Sequence, residues 1–178
     1  MNAYTNSQTI IFVDIRGFSK TSEENTQFIL SSQNFIYDYY ESIAQIFNTD
    51  FIKYMGDGSM IVSEQDNIVT ILDKCFKIRE DFKLLLKKYQ DNDGLELSFS
   101  LGFGIARGKF QKIEKALTNN HVILRDYISP RINLASRLCS FAHPNGIIIH
   151  QESFPDKLPQ HYSKLFRCEK TQRIDQHI

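Results

Sequence analysis

Two aspartates close apolar runs in this sequence, and an Asn–Arg pair follows far downstream. Asp14 stands at the end of QTIIFVDI (8–15), and Asp57 lies between two glycines in FIKYMGDGSM (51–60). Asn133 and Arg137 are four residues apart in ISPRINLASRL, hence on one face of a helix. Hard cations choose oxygen ligands, and Mg²⁺ usually takes one or two carboxylates together with substrate phosphates. Two such ions can activate an attacking oxygen and neutralise an in-line phosphoryl transfer. An Asn–Arg pair can orient a ribose and neutralise a phosphoryl oxygen. Each feature has a plainer reading when taken singly. Asp14 can cap the following loop, GDG is good hairpin chemistry, Lys53 can sit on a solvated strand face, and Asn133 and Arg137 can form a solvent stripe. Taken together, the two aspartates favour the metal reading, for Mg²⁺ or Mn²⁺ held against a triphosphate.

The elements that must position these residues are legible from hydrophobic period. QTIIFVDI is a continuous apolar run, as a strand buried on both faces would be. From Thr26 to Phe47 apolar residues recur at helical spacing, and FIKYM, GDG and SMIV read as a hairpin. A second long helix starts after Asp66 or Asn67 and lines up Ile68, Ile71, Leu72, Cys75, Phe82, Leu85, Leu86 and Tyr89. LELSFSLGFGI (95–105) alternates, predicting a strand with one buried face. Residues 109–125 carry no clear signal. A helix is predicted over 131–142 and a short strand over 145–150. This order gives an α+β fold with a ferredoxin-like βαββαβ core and a C-terminal extension. The sheet is expected to be antiparallel, with both long helices on one face and strand 1 beside the hairpin. Asp14 and Asp57 then lie at adjacent strand ends, with Gly17, Gly56 and Gly58 nearby.

The 178 residues suit a single domain spanning 1–178. Basic and acidic residues balance at 21 each, which gives no global field for nucleic acid or an anionic membrane. No signal-peptide pattern opens the chain, and no apolar run is long enough to span a bilayer. Cys75, Cys139 and Cys168 are scattered and odd in number, which fits reduced thiols and a cytoplasmic location. No HxH, HExxH or CxxC spacing supports zinc.

Four collinear segments across roughly residues 9–155 resemble the catalytic domain of class III nucleotidyl cyclases. IFVDIRGFS resembles the first metal motif, and FIKYMGDG resembles the second, with a Lys four residues before the Asp. LSFSLGFGIARG resembles the strand that usually ends Gly-Ile-His-Thr-Gly, with Ala106 and Arg107 in place of His-Thr. INLASRLCSFAHPNGIIIHQESF resembles the Val-Asn-x-Ala-Ser-Arg helix and the strand after it. The resemblance implies a metal set of Asp14, Ile15 and Asp57 carrying two divalent cations. It implies that Asn133 positions the ribose and that Arg137 stabilises the transition state. Backbone amides of Ile15, Arg16, Gly17 and Phe18 would cradle the terminal phosphates. It further implies a homodimer with active sites shared across the interface, in which an NTP becomes a 3′,5′-cyclic nucleotide and pyrophosphate.

Lys53 and Asp126 stand where the family often keeps its base-reading Lys and the acidic partner. An ammonium can donate to adenine N1 and a carboxylate can accept from N6, which suits ATP. A guanylyl enzyme would carry Glu and Cys or similar, which argues against GTP. A bare catalytic domain resembles the small stand-alone pyrimidine cyclases of bacterial antiphage (Pycsar-type) systems. These make cyclic UMP or CMP for a separate effector protein. A Lys can also donate to a pyrimidine carbonyl, and Tyr54 would narrow the base pocket. UTP or CTP is therefore the leading expectation and ATP the alternative. Ser129-Pro130-Arg131-Ile132 replaces the usual run before Asn133, and Lys170 and Arg173 are the nearest basic residues to the absent Lys-Gly phosphate motif. Two other classes compete: a cyclase-like module that binds nucleotide without turnover, and a structural interaction domain.

Overall fold

A computed structural model describes residues 7–24, 26–49, 51–93, 97–116, 123–156 and 158–164. Its centre is β1 (Gln8–Arg16), paired antiparallel with both β3 (Gly58–Ser63) and β4 (Ser100–Gly108). With β2 (Phe51–Met55) and β7 (Ile147–Ile149) at the edges, the order is β2-β3-β1-β4-β7. The first four strands have the ferredoxin-like arrangement expected from the sequence. The antiparallel expectation fails at one edge, because β7 runs parallel to β4. The chain reaches β7 after crossing the sheet through α4 (Pro130–Phe141), and such a crossover delivers a parallel strand.

Two helices, α2 (Thr26–Phe47) and α3 (Ile68–Asp93), cover one face. There Phe28, Phe35, Tyr39, Ile43, Ile71 and Leu72 are almost wholly buried against Ile11, Val13 and Ile15 of β1. Burying each such side chain stabilises the fold by about 1.5–3 kcal/mol. Asn67 rather than Asp66 caps α3: its Oδ1 accepts from Val69 N at 2.9 Å and Thr70 N at 3.2 Å. Ser129 caps α4 by accepting from Arg131 N at 3.2 Å, with Pro130 in the first turn.

The opposite face is covered by α4 over a second apolar cluster of Ile10, Met60, Val62, Ala106, Phe110 and Ala135. This corrects the one-sided reading of β4. Gly102, Gly104 and Ala106 point to α4 and are buried, as are Leu101, Phe103 and Ile105 on the other side. A Cβ on Gly104 would come within 2.8 Å of the Cys139 Cα, so the small residues admit the helix backbone. The strand also starts at Ser100; Leu97 and Phe99 are buried outside it, and Leu95 lies outside the described residues.

Three elements carried no signal in the sequence. Gly17, at φ +89°, turns β1 into the short helix α1 (Phe18–Glu24). In and just beyond 109–125, β5 (Gln111–Ala116) pairs with β6 (Ile123–Ile128) as a separate two-stranded sheet. A short 3-10 turn over Gln151–Ser153 and helix α5 (Gln160–Ser163) follow β7. Among the described residues, no helix is long and apolar enough to cross a membrane.

Candidate active site

Register brings the two aspartates together. Asp14 pairs across the sheet with Gly58, and Asp57 sits in the β2–β3 turn immediately before it. The Ile15 N–H donates to the Asp57 carbonyl at 3.1 Å, which fixes the turn to β1. That Ile15 amide therefore serves the fold and is not free to meet a phosphate. A Cβ on Gly58 would lie 3.3 Å from Asp14 Oδ1, so glycine leaves that oxygen open. Asp14 lies two residues inside β1 rather than at its end.

Burial raises the Asp14 pKa, Asp57 pushes the same way, and Arg16 and His143 oppose them. Arg16 Nη1 stands 2.6 Å from Asp14 Oδ2. Asp57 Oδ2 accepts from the Ser19 hydroxyl at 3.2 Å, from the first turn of α1. Tyr40 on α2 donates its hydroxyl to the Gly56 carbonyl and so steadies the turn, where Gly56 has φ +70°. These three side-chain contacts were missed in the sequence. Ser19 and Arg16 lie inside the IFVDIRGFS segment, whereas nothing in the α2 pattern distinguishes Tyr40 from a packing residue.

The two carboxylates fit a hard divalent cation. They offer oxygen donors only, beside glycine at the Asp14 face, and the number suits Mg²⁺ or Mn²⁺ sharing a triphosphate. Among the described residues no cluster of three or more His, Cys, Asp or Glu forms, so phosphate and water oxygens would complete the shell.

A second group assembles on the α4 side of the sheet. Lys53 on β2 and Asp126 on β6, 73 residues apart, meet with Nζ 2.7 Å from Oδ2. Burial pushes the Asp126 carboxyl up, but the Lys53 ammonium and the Tyr127 N–H, which donates to Oδ1 at 2.9 Å, hold it below its ordinary range. Phe51 and Tyr127, each a neighbour of this pair, pack edge-to-face at 4.9 Å. Tyr54 is not brought to the pair. Strand alternation turns it to the α2 face, where its ring stacks on Tyr40 at 4.1 Å and its hydroxyl donates to the Tyr40 carbonyl at 3.2 Å.

Asn133 and Arg137 are both exposed on α4, on the side away from buried Ala135, Leu138 and Cys139. Among the described residues, no hydrogen bond or ion pair joins them to Asp14 or Asp57. Lys170 and Arg173 lie outside the described residues.

The fold that carries these residues is shared with solved cyclase structures. The adenylyl cyclase CyaB from P. aeruginosa superposes with a TM-score of 0.70 at 24% identity, over 83% of this chain and 78% of that one. The guanylyl cyclase Cya2 gives 0.64 at 20% identity, over 76% and 70%. The guanylyl cyclase domain of RhoGC from the fungus Blastocladiella emersonii, crystallised as a monomeric double mutant, gives 0.63 at 23%, over 84% and 81%. At these identities the likeness establishes the fold. A search among curated protein sequences finds no match. The sequence itself matches the family described as the adenylate and guanylate cyclase catalytic domain over residues 2–174, and the chain belongs to that family. It is a nucleotide cyclase domain of the class III type.

Proposed function

We propose that this chain converts a pyrimidine nucleoside triphosphate, UTP or CTP, into its 3′,5′-cyclic monophosphate in a homodimer. Asp14 and Asp57 of one chain hold the divalent cations, Mg²⁺ or Mn²⁺. Asn133, Arg137, Lys53 and Asp126 come from its partner. When bound, the cations lower the pKa of the ribose 3′-hydroxyl and neutralise phosphate charge. The 3′-oxygen forms a bond to the α-phosphorus, the bond to the pyrophosphate oxygen breaks, and the hydroxyl proton leaves to solvent. Asn133 orients the ribose through its amide. Arg137 donates to the α-phosphate oxygens as negative charge gathers on them.

The observation that carries this reading is the Lys53–Asp126 pair at 2.7 Å, a donor and an acceptor placed side by side. Uracil presents O4 beside N3–H, and cytosine presents N3 beside its amino group, so either ring edge matches the pair. Either pyrimidine can thus engage the ammonium and the carboxylate together. An antiphage role in the cytoplasm, with a separate effector for the product, belongs to the same proposal. Adenine shows the cytosine pattern with a second ring, so ATP is the alternative substrate. A nucleotide-binding module without turnover would have no use for Asn133 and Arg137 displayed together on α4.

The deciding assay incubates purified protein and Mn²⁺ with each of the four NTPs and identifies products by mass. Cyclic UMP or cyclic CMP as the main product is expected. Cyclic AMP would replace the pyrimidine assignment, and no pyrophosphate from any NTP would overturn the enzymatic one.

A further inference from the structure

Arg16 occupies a built slot beside the metal aspartates. Its Nη1 lies 2.6 Å from Asp14 Oδ2, while Nη2 donates to the Cys139 carbonyl near the end of α4 and lies 3.7 Å from the Cys139 sulfur. The guanidinium fills space that Gly102 leaves empty: a Cβ there would sit 2.6 Å from Nε and closer still to Nη2. The Arg16 side chain is only 16% exposed, and its Nε is buried without a hydrogen-bond partner among the described residues. A cation held at both ends in this way cannot swing aside cheaply. It takes up one oxygen of Asp14 and leaves Oδ1, beside Gly58, for a ligand.

Charge follows from that geometry. Two carboxylates alone would present two negative charges to a divalent ion, and with Arg16 fixed against one of them the group presents one. Free cation is then bound weakly. A triphosphate arriving with its cation supplies the missing negative charge itself. We propose that Arg16 is a positioning residue that makes metal capture at Asp14 and Asp57 depend on nucleotide, so that the site stays metal-poor until an NTP–metal complex enters. The inference rests on the two-carboxylate metal reading above.

The test is a Mn²⁺ titration of the intact protein followed by electron paramagnetic resonance, first without nucleotide. Arg16→Gln, which keeps a polar side chain and removes the charge, is expected to bind free Mn²⁺ roughly tenfold more tightly than the unmodified chain, as loss of a nearby like charge requires. Arg16→Met, which keeps much of the side-chain length and removes the charge, is expected to tighten binding in the same direction, which keeps the test available if Arg16→Gln does not fold. Arg16→Lys, which keeps the charge, should stay within about threefold of the unmodified chain. Adding a 3′-deoxynucleoside triphosphate, which lacks the attacking hydroxyl, should bring all these proteins to similar Mn²⁺ affinity. Unchanged or weaker free-metal binding in folded Arg16→Gln or Arg16→Met overturns the inference. Asp57→Asn in the Arg16→Gln background separates the two levels of the argument. It should abolish the tight binding, and survival of that binding would sink the two-carboxylate reading itself.

Discussion

At the residue scale, the site depends on side chains that do little chemistry themselves. Tyr40 and Ser19 hold the turn that presents Asp57, and Arg16 holds Asp14. Sequence could name the aspartates, because an acid after an apolar run or between glycines stands out from its neighbours. Period-two alternation along FIKYM already puts Tyr54 on the face opposite Lys53, so placing both at one base pocket conflicts with the strand itself. Sequence could not show the Arg16 slot, which needs a glycine 86 positions later on another strand. The thiols illustrate a different consequence of burial. Burial pushes Cys75 up to about 12 and, outweighing Arg16 nearby, Cys139 up to about 11. The native protein at pH 8 should therefore leave both unreacted with a disulfide reagent, read by peptide mass mapping, whereas urea should expose both. An unfolded thiol ionises near pH 8.5, so above that the unfolded chain loses protons that the folded chain keeps. The stabilisation present below pH 8.5 is lost as pH rises towards the folded values, by up to about 1.4 kcal/mol per pH unit for each thiol. Replacing Cys75 and Cys139 by Ala should flatten that alkaline limb in urea titrations.

At the element scale, α2, α3 and α4 were legible because their apolar residues recur at helical spacing over several turns. The β4 strand was read as half-exposed because its second face is made of Gly102, Gly104 and Ala106, which look neutral in a hydrophobicity pattern. Their smallness is what lets α4 lie flat on the sheet, with Asn133 and Arg137 on its outer side. The β5–β6 ribbon was missed because QKIEKA and ILRDYI mix charged and apolar residues without a sustained period. Yet β6 delivers Asp126 to Lys53, so the least readable region completes the pair proposed to read the base. If close packing of α4 matters, Gly104→Val should destabilise the protein by about 3 kcal/mol or more in urea unfolding, because its side chain must displace the helix backbone.

At the scale of the whole molecule, the proposed chemistry needs two chains. Among the described residues no hydrogen bond or ion pair joins Asp14 or Asp57 to Asn133 or Arg137, and the proposed homodimer would bring the two groups together across its interface. The arrangement predicts complementation between defective chains. Asp57→Asn and Arg137→Ala should each be inactive alone. Mixed in equal amounts and allowed to exchange subunits, they should recover about a quarter of unmodified turnover, since half the dimers are mixed and each has one intact site of two. Activity that does not return, with mixed dimers verified by native mass spectrometry, would place each site within a single chain.

The strand order leaves β2 at the outer edge of the sheet, with FIKYM as its whole length. An edge of unpaired backbone groups invites a strand from another molecule, and a charged side chain in its middle is an effective deterrent. Lys53 stands at the third of those five positions. Lys53, proposed to read a base, is thus also expected to hold the edge back from fibre-like stacking. Exchanging it for an apolar residue to change substrate preference should cost solubility: Lys53→Val is expected to show concentration-dependent light scattering where Lys53→Arg stays clear.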